Sequence, residues 1–211
     1  MNNIQSVVDL FNNTRAKSEG NLPEAHKLAK AAGLPQSAVE YIALSTDWRS
    51  YAASFRLLCA NMADDESLPV FWRAAALESL GATSPAGQEA ERLACFDRAE
   101  ALVKDLDTTD DVRLYIETCC AAGRAETKGQ PPVNLELLRR VATVMVDKSW
   151  FNAPGRLKSY CDELVKVEGN AEKARDLINA FAAREQSGDH AHSPRQTGFL
   201  KGAHGGLFPA S

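Results

Sequence analysis

The strongest constraint on how this chain can fold is an imbalance among its apolar residues, because 33 alanines stand against only 12 valines and 4 isoleucines. Alanine gives up no side-chain freedom in a helix, whereas β-branched side chains are stiff there and suit pleated sheets instead. Apolar residues also recur at the spacing of one helical face, and the gaps between runs carry Gly, Pro, Ser, Asn or Asp, where helix ends need them. The expectation is an all-α fold: an irregular multi-helix bundle or a stack of helical hairpins, about ten helices in all, followed by a Gly-rich non-helical C-terminal tail.

The punctuation places the elements. A first helix is expected from Ile4 to Ala16, a second from Pro23 to Ala32 closed by Gly33, and a third opening at Pro35 and ending near Ser45. Asp47 is the expected cap of a fourth helix, Trp48 to Met62, and Ser67 of a fifth that Gly81 stops after Leu80. Ser84 and Pro85 should open a long sixth helix reaching Leu106, and a seventh should run from Asp110 to Ala122 and close at Gly123. Beyond Pro132, Asn134 should cap a helix whose Leu135, Leu138, Val141, Ala142 and Met145 form one stripe, before helices at Pro154–Glu168 and Ala171–Glu185.

Composition shifts suggest four stretches: an N-terminal helical domain over 1–123, a linker over 124–133, a C-terminal helical region over 134–186 and an extended tail over 187–211. The tail is set apart by Gly188, Gly198, Gly202, Gly205, Gly206, Pro194 and Pro209. Charge is mildly acidic, 24 Lys and Arg against 28 Asp and Glu, which supplies no general pull toward nucleic acid or anionic lipid. The start of the chain lacks a basic flank and apolar block, and no run is long and apolar enough to span a bilayer, so a cytoplasmic address without membrane contact is expected. Cys59, Cys95, Cys119, Cys120 and Cys161 are odd in number and contain no C-x-x-C pair, which reads as buried free thiols.

Two segments resemble known helical motifs. Residues 28–42, with Ala29 small, Gly33 at the turn and Leu34, Val39 and Ile42 seating the second helix, resemble a helix-turn-helix. That resemblance implies DNA contacts from Gln36 and Ser37, with Lys27 and Lys30 toward phosphate, although the exposed face of the second helix has no Arg or Lys of its own. Trp72, Leu77, Leu80, Gly81, Phe96 and Ala99 resemble a tetratricopeptide hairpin, but Arg92 occupies a slot that takes a small residue and no second copy follows. What that resemblance implies is stacked hairpins alone.

Chemistry-bearing patterns are sparse. The acidic run Asp105 to Asp111 lacks the Gly and Glu of a calcium loop and fits helix-end duty better. His190-x-His192 and His204 sit in a Gly-rich segment with no fixed third ligand, so no metal is expected, nor any other cofactor. The sequence carries no phosphate loop, nucleophile elbow or zinc-protease helix. The leading functional expectation is therefore a non-enzymatic interaction module, an adaptor, scaffold or small subunit. Its docking arm would be the tail, anchored by Phe199, Leu200, Leu207 and Phe208 on another protein or a second copy of the chain. A helix-turn-helix DNA-binding regulator using residues 24–45 is the alternative, and an enzyme of unknown reaction the third.

Overall fold

In the computed structural model, residues 4–18, 21–127, 135–147 and 153–186 are described, and they are helical wherever they form regular structure. The helices are α1 (Ile4–Ser18), α2 (Leu22–Lys30), α3 (Gln36–Ser45), α4 (Ala52–Asp64), α5 (Val70–Ala82), α6 (Glu89–Val103), α7 (Asp111–Ala125), α8 (Leu135–Asp147), α9 (Ala153–Glu168) and α10 (Ala171–Gln186). The all-α expectation is met. Among the described residues no helix is long and apolar enough to cross a membrane.

Contacts group the chain into two compact units that do not follow the order of the sequence. One comprises Met1–Ile4 and Lys17–Gln130, and the other Gln5–Ala16 and Pro131–Ser211, so most of α1 groups with α8, α9 and α10. In the first unit each helix from α2 to α7 packs on the next, and α5 also meets α7. In the second, α9 packs against both α8 and α10.

Local chemistry explains several helix ends. Asn21 Oδ1 accepts from the Glu24 amide at 3.2 Å to start α2, and Asp110 Oδ1 accepts from Val112 at 2.7 Å to start α7. Asn170 Oδ1 starts α10 through the Lys173 amide at 3.0 Å. Gly33, at φ 67°, turns the chain between α2 and α3 in the left-handed region that favours glycine.

Several expected boundaries move. Asp47 does not cap α4: the backbone closes turn bonds from Ser50 to Asp47 and from Tyr51 to Trp48, and the helix begins at Ala52. Ser67 is held by Asp65, its Oγ donating to Oδ1 at 2.6 Å, and Pro69 stands at the start of α5 instead. The Ser84 hydroxyl closes the preceding helix, donating to the Leu80 carbonyl at 3.0 Å, and α6 starts only after Gly87, whose φ is 87°. Gly81 and Gly123 stop nothing. Each lies inside its helix, buried, because the Phe96 ring of α6 presses on both.

Phe96 is fully buried. A Cβ placed on Gly81 would come within 2.7 Å of Phe96 Cε1, and one on Gly123 would meet Phe96 Cζ closer still. Glycine at both positions is therefore a packing requirement that lets α5 and α7 approach one ring. Gly123→Ala is expected to destabilise by about 1–3 kcal/mol through overpacking, and Phe96→Ala by about 3–5 kcal/mol through cavity formation. Urea denaturation should show the double variant losing clearly less than the two single losses combined, since removing the ring removes the clash.

Candidate functional site

One collection of polar and ionisable side chains in the first unit is largely withdrawn from its surface. Tyr41 sits in the apolar stripe of α3 beside Val39 and Ile42, and all three are buried. Its hydroxyl lies 2.7 Å from Ser79 Oγ and donates to the Ala75 carbonyl at 3.2 Å, tying α3 to α5. The ring packs on Phe55 and Trp72, with centroids 5.5 and 6.1 Å away, and Phe71 carries the aromatic chain on to Tyr115 of α7 at 6.0 Å.

Around this cluster Cys59, Cys119 and Cys120 are buried and outside any disulfide. Burial pushes the Cys59 thiol up to about 12, and the nearby Glu78 carboxylate acts in the same direction. Burial also raises Cys120, Tyr41 and Tyr115. The effect is to keep thiols and phenols protonated, the opposite of what a nucleophile or proton-abstracting base requires. Cys95 and Cys161 are buried free thiols too, so the reading of all five cysteines holds. Cys161 Sγ lies 3.7 Å from the Ala174 carbonyl between α9 and α10.

A second set of side chains, missed from the sequence, closes helix ends across helices. Arg73 Nε donates to the Ala63 carbonyl at the end of α4 at 3.4 Å. At the end of α5, Arg56 donates to Leu80 at 3.0 Å and Arg92 to Ala82 at 3.3 Å. Arg113 Nη1 donates to the Lys104 and Leu106 carbonyls at 2.9 and 2.8 Å, while its Nε pairs with Glu117 at 2.7 Å. A guanidinium suits this role because it offers several donors and a charge that complements the negative end of a helix. Arg124 instead bridges Asp97 and Glu100 of α6 at 2.9 and 2.7 Å and stacks 5.7 Å from the Phe96 centroid.

The residues singled out in the sequence fall as follows. Lys27 and Lys30 are exposed on α2, and Lys27 pairs with Glu24 at 3.4 Å. Gln36 is exposed and donates to Glu40 at 2.9 Å, and Ser37 is half-buried beside it. The hairpin of α2 and α3 with its Gly33 turn is present. Its second helix, however, buries Ala38, Val39, Tyr41, Ile42 and Ala43. Gln36, off that buried face, is paired with the Glu40 carboxylate. Phe199, Leu200, Leu207, Phe208, His190, His192 and His204 lie outside the described residues, while His26 is half-buried on α2. Asp110 serves as the N-cap already described, and Asp107 accepts from the Thr109 amide and hydroxyl, which hold its carboxyl below the usual range.

Among the described residues no group of three or more His, Cys, Asp or Glu is placed to hold a metal ion. Among the described residues Leu57 on α4 is a large apolar side chain that stands well exposed, at 65%. These features define a helical-hairpin protein whose ionisable interior is held neutral. Comparison with protein families, with curated proteins and with solved structures finds no match.

The neutral interior has a pH signature. Tyr41, Tyr115, Cys59 and Cys120 have folded pKa values raised above the ordinary 10.0 and 9.0. Their contribution to stability is complete below the unfolded pKa and is lost as pH rises through it toward the folded value. Chemical denaturation should therefore show these four groups adding no slope between neutral pH and about pH 8.5 and a falling stability above pH 9 to 10, each group adding at most about 1.4 kcal/mol per pH unit. Tyr41→Phe should make that alkaline slope shallower.

Proposed function

We propose that this protein acts by binding another protein or a second copy of itself, as an adaptor, scaffold or small subunit in the cytoplasm, and that it catalyses no reaction. The observation that carries this reading is the packing order of α2 to α7, in which each helix rests chiefly on its neighbours in sequence. Stacks of that kind leave one face of every helix pair on a continuous surface, and such surfaces suit protein partners. The burial of Tyr41, Cys59, Cys119 and Cys120 supports the reading, since the reactive groups are spent on the interior rather than presented to a substrate.

The tail is the proposed docking arm. Phe199, Leu200, Leu207 and Phe208 are large apolar residues in a Gly-rich stretch that cannot bury them in a helix of its own. Affinity capture of tagged full-length chain from its own cell, beside a variant lacking residues 187–211, tests the reading. A specific partner or a homo-oligomer should be recovered with the full chain and lost with the deletion, while the melting temperature stays the same. A full-length chain that is monomeric by light scattering and recovers the same proteins as its truncated form would overturn the proposal.

A further inference from the structure

Helix α4 has two distinct sides. Phe55, Cys59, Met62 and Ala63 are buried on one, where the helix packs on α3 and α5. The other carries Ala53, Ser54, Leu57, Asn61 and Asp64, all exposed, and Ala53, Leu57, Asn61 and Asp64 fall on one line because they recur every three or four residues. Leu57, 65% exposed, stands in the middle of that line with uncharged Ala53 and Asn61 one turn before and after it. A lone exposed leucine calls for no explanation, but the charges at the two ends of this line do.

Those charges run in the reverse of the order the helix dipole favours. Acidic groups in the first turn and basic groups in the last stabilise a helix, and α4 has neither. Instead Arg49 lies just before its start, and Asp64, Asp65 and Glu66 follow one another at its end, all four exposed. Asp64 pairs with Arg98 at 2.8 Å, and Asp65 Oδ1 accepts from the Ser67 amide and hydroxyl at 3.0 and 2.6 Å. Arg49 stacks 5.5 Å from the Trp48 centroid and has no carboxylate within ion-pair reach among the described residues. Counted from Leu57, Arg49 lies eight residues back and Asp65 eight residues on. A second α4 laid antiparallel across Leu57 therefore sets Arg49 of each copy beside Asp65 and Glu66 of the other, and brings opposite dipole ends together. The face is complementary to itself in charge, as a two-fold contact requires.

We infer that this face of α4 is a homodimer contact: two copies pair antiparallel about Leu57, and Arg49 of each meets Asp65 and Glu66 of the other, which fixes the direction of the pair. The inference rests on the self-binding side of the proposed function but uses a surface apart from the tail, whose own partner is then a foreign protein. Sedimentation velocity of the full-length chain over a concentration series, at low and at high salt, tests it. A monomer–dimer equilibrium is expected that weakens as salt rises and persists in the chain lacking residues 187–211, so this contact and the tail's docking role fail separately. Leu57→Glu should raise the dissociation constant at least about tenfold, and Arg49→Glu about tenfold. Arg49→Glu combined with Glu66→Arg should recover most of that loss, a rescue that damage to the fold would not give. A chain that stays monomeric throughout the series, a dimer that disappears with the tail or is indifferent to Leu57→Glu, or a double variant no tighter than Arg49→Glu alone overturns the contact.

Discussion

The first unit is organised by one aromatic ring. Phe96 projects from α6 into a space left by the missing side chains of Gly81 on α5 and Gly123 on α7, so three helices converge on a contact that any Cβ would block. The ring is covered from outside by Arg124, which pairs with Asp97 and Glu100 on the same helix that carries Phe96. Close packing at this point fixes how far apart α5, α6 and α7 can lie, and Leu77, Ala99, Ile116 and Cys120 on the same three helices are buried.

Once the helices are that close, their ends become the next problem, because the last carbonyls of each helix lack partners within it. Arg56, Arg73, Arg92 and Arg113 answer this by reaching from one helix to the end of another. The bonds are cross-helix and so are meaningful only when the stack is assembled, which couples capping to tertiary packing. Tyr41 plays a related part deeper in the unit, where its hydroxyl joins α3 to the backbone of α5 while its ring fills space between Phe55 and Trp72. Interior polarity here serves the arrangement of helices, and this frames the reading of the protein as a binding body.

The glycines show how a sequence signal can be read correctly as unusual and still be given the wrong purpose. Gly33 and Gly81 both follow an apolar helical run. Gly33 takes a positive φ and turns the chain, while Gly81 continues the helix against Phe96. Pro35, two residues after Gly33, marks that stop locally, but the reason Gly81 must be glycine lies in Phe96, which is distant from it along the chain and reaches it only in the fold. Ser67 and Ser84 differ in the same way, because a hydroxyl before a helix can cap it, pair with an earlier aspartate or close the helix behind, and neighbouring geometry chooses.

The sequence by itself determined the helical class, since backbone preference and apolar spacing are local properties that alanine and the scarcity of isoleucine settle without tertiary help. It also determined the ends marked by Asn21, Gly33, Asp110 and Asn170, whose side chains or backbone act on residues two to four positions away. Tertiary structure alone decided the grouping of residues 5–16 with the C-terminal helices, the arginine caps, and the gathering of Tyr41, Ser79, Cys59 and Cys119 in one interior. The arginine caps span from 7 to 24 positions and the Tyr41–Ser79 contact spans 38, and their meeting depends on burial of apolar area summed over the whole unit, a quantity no short window of sequence contains.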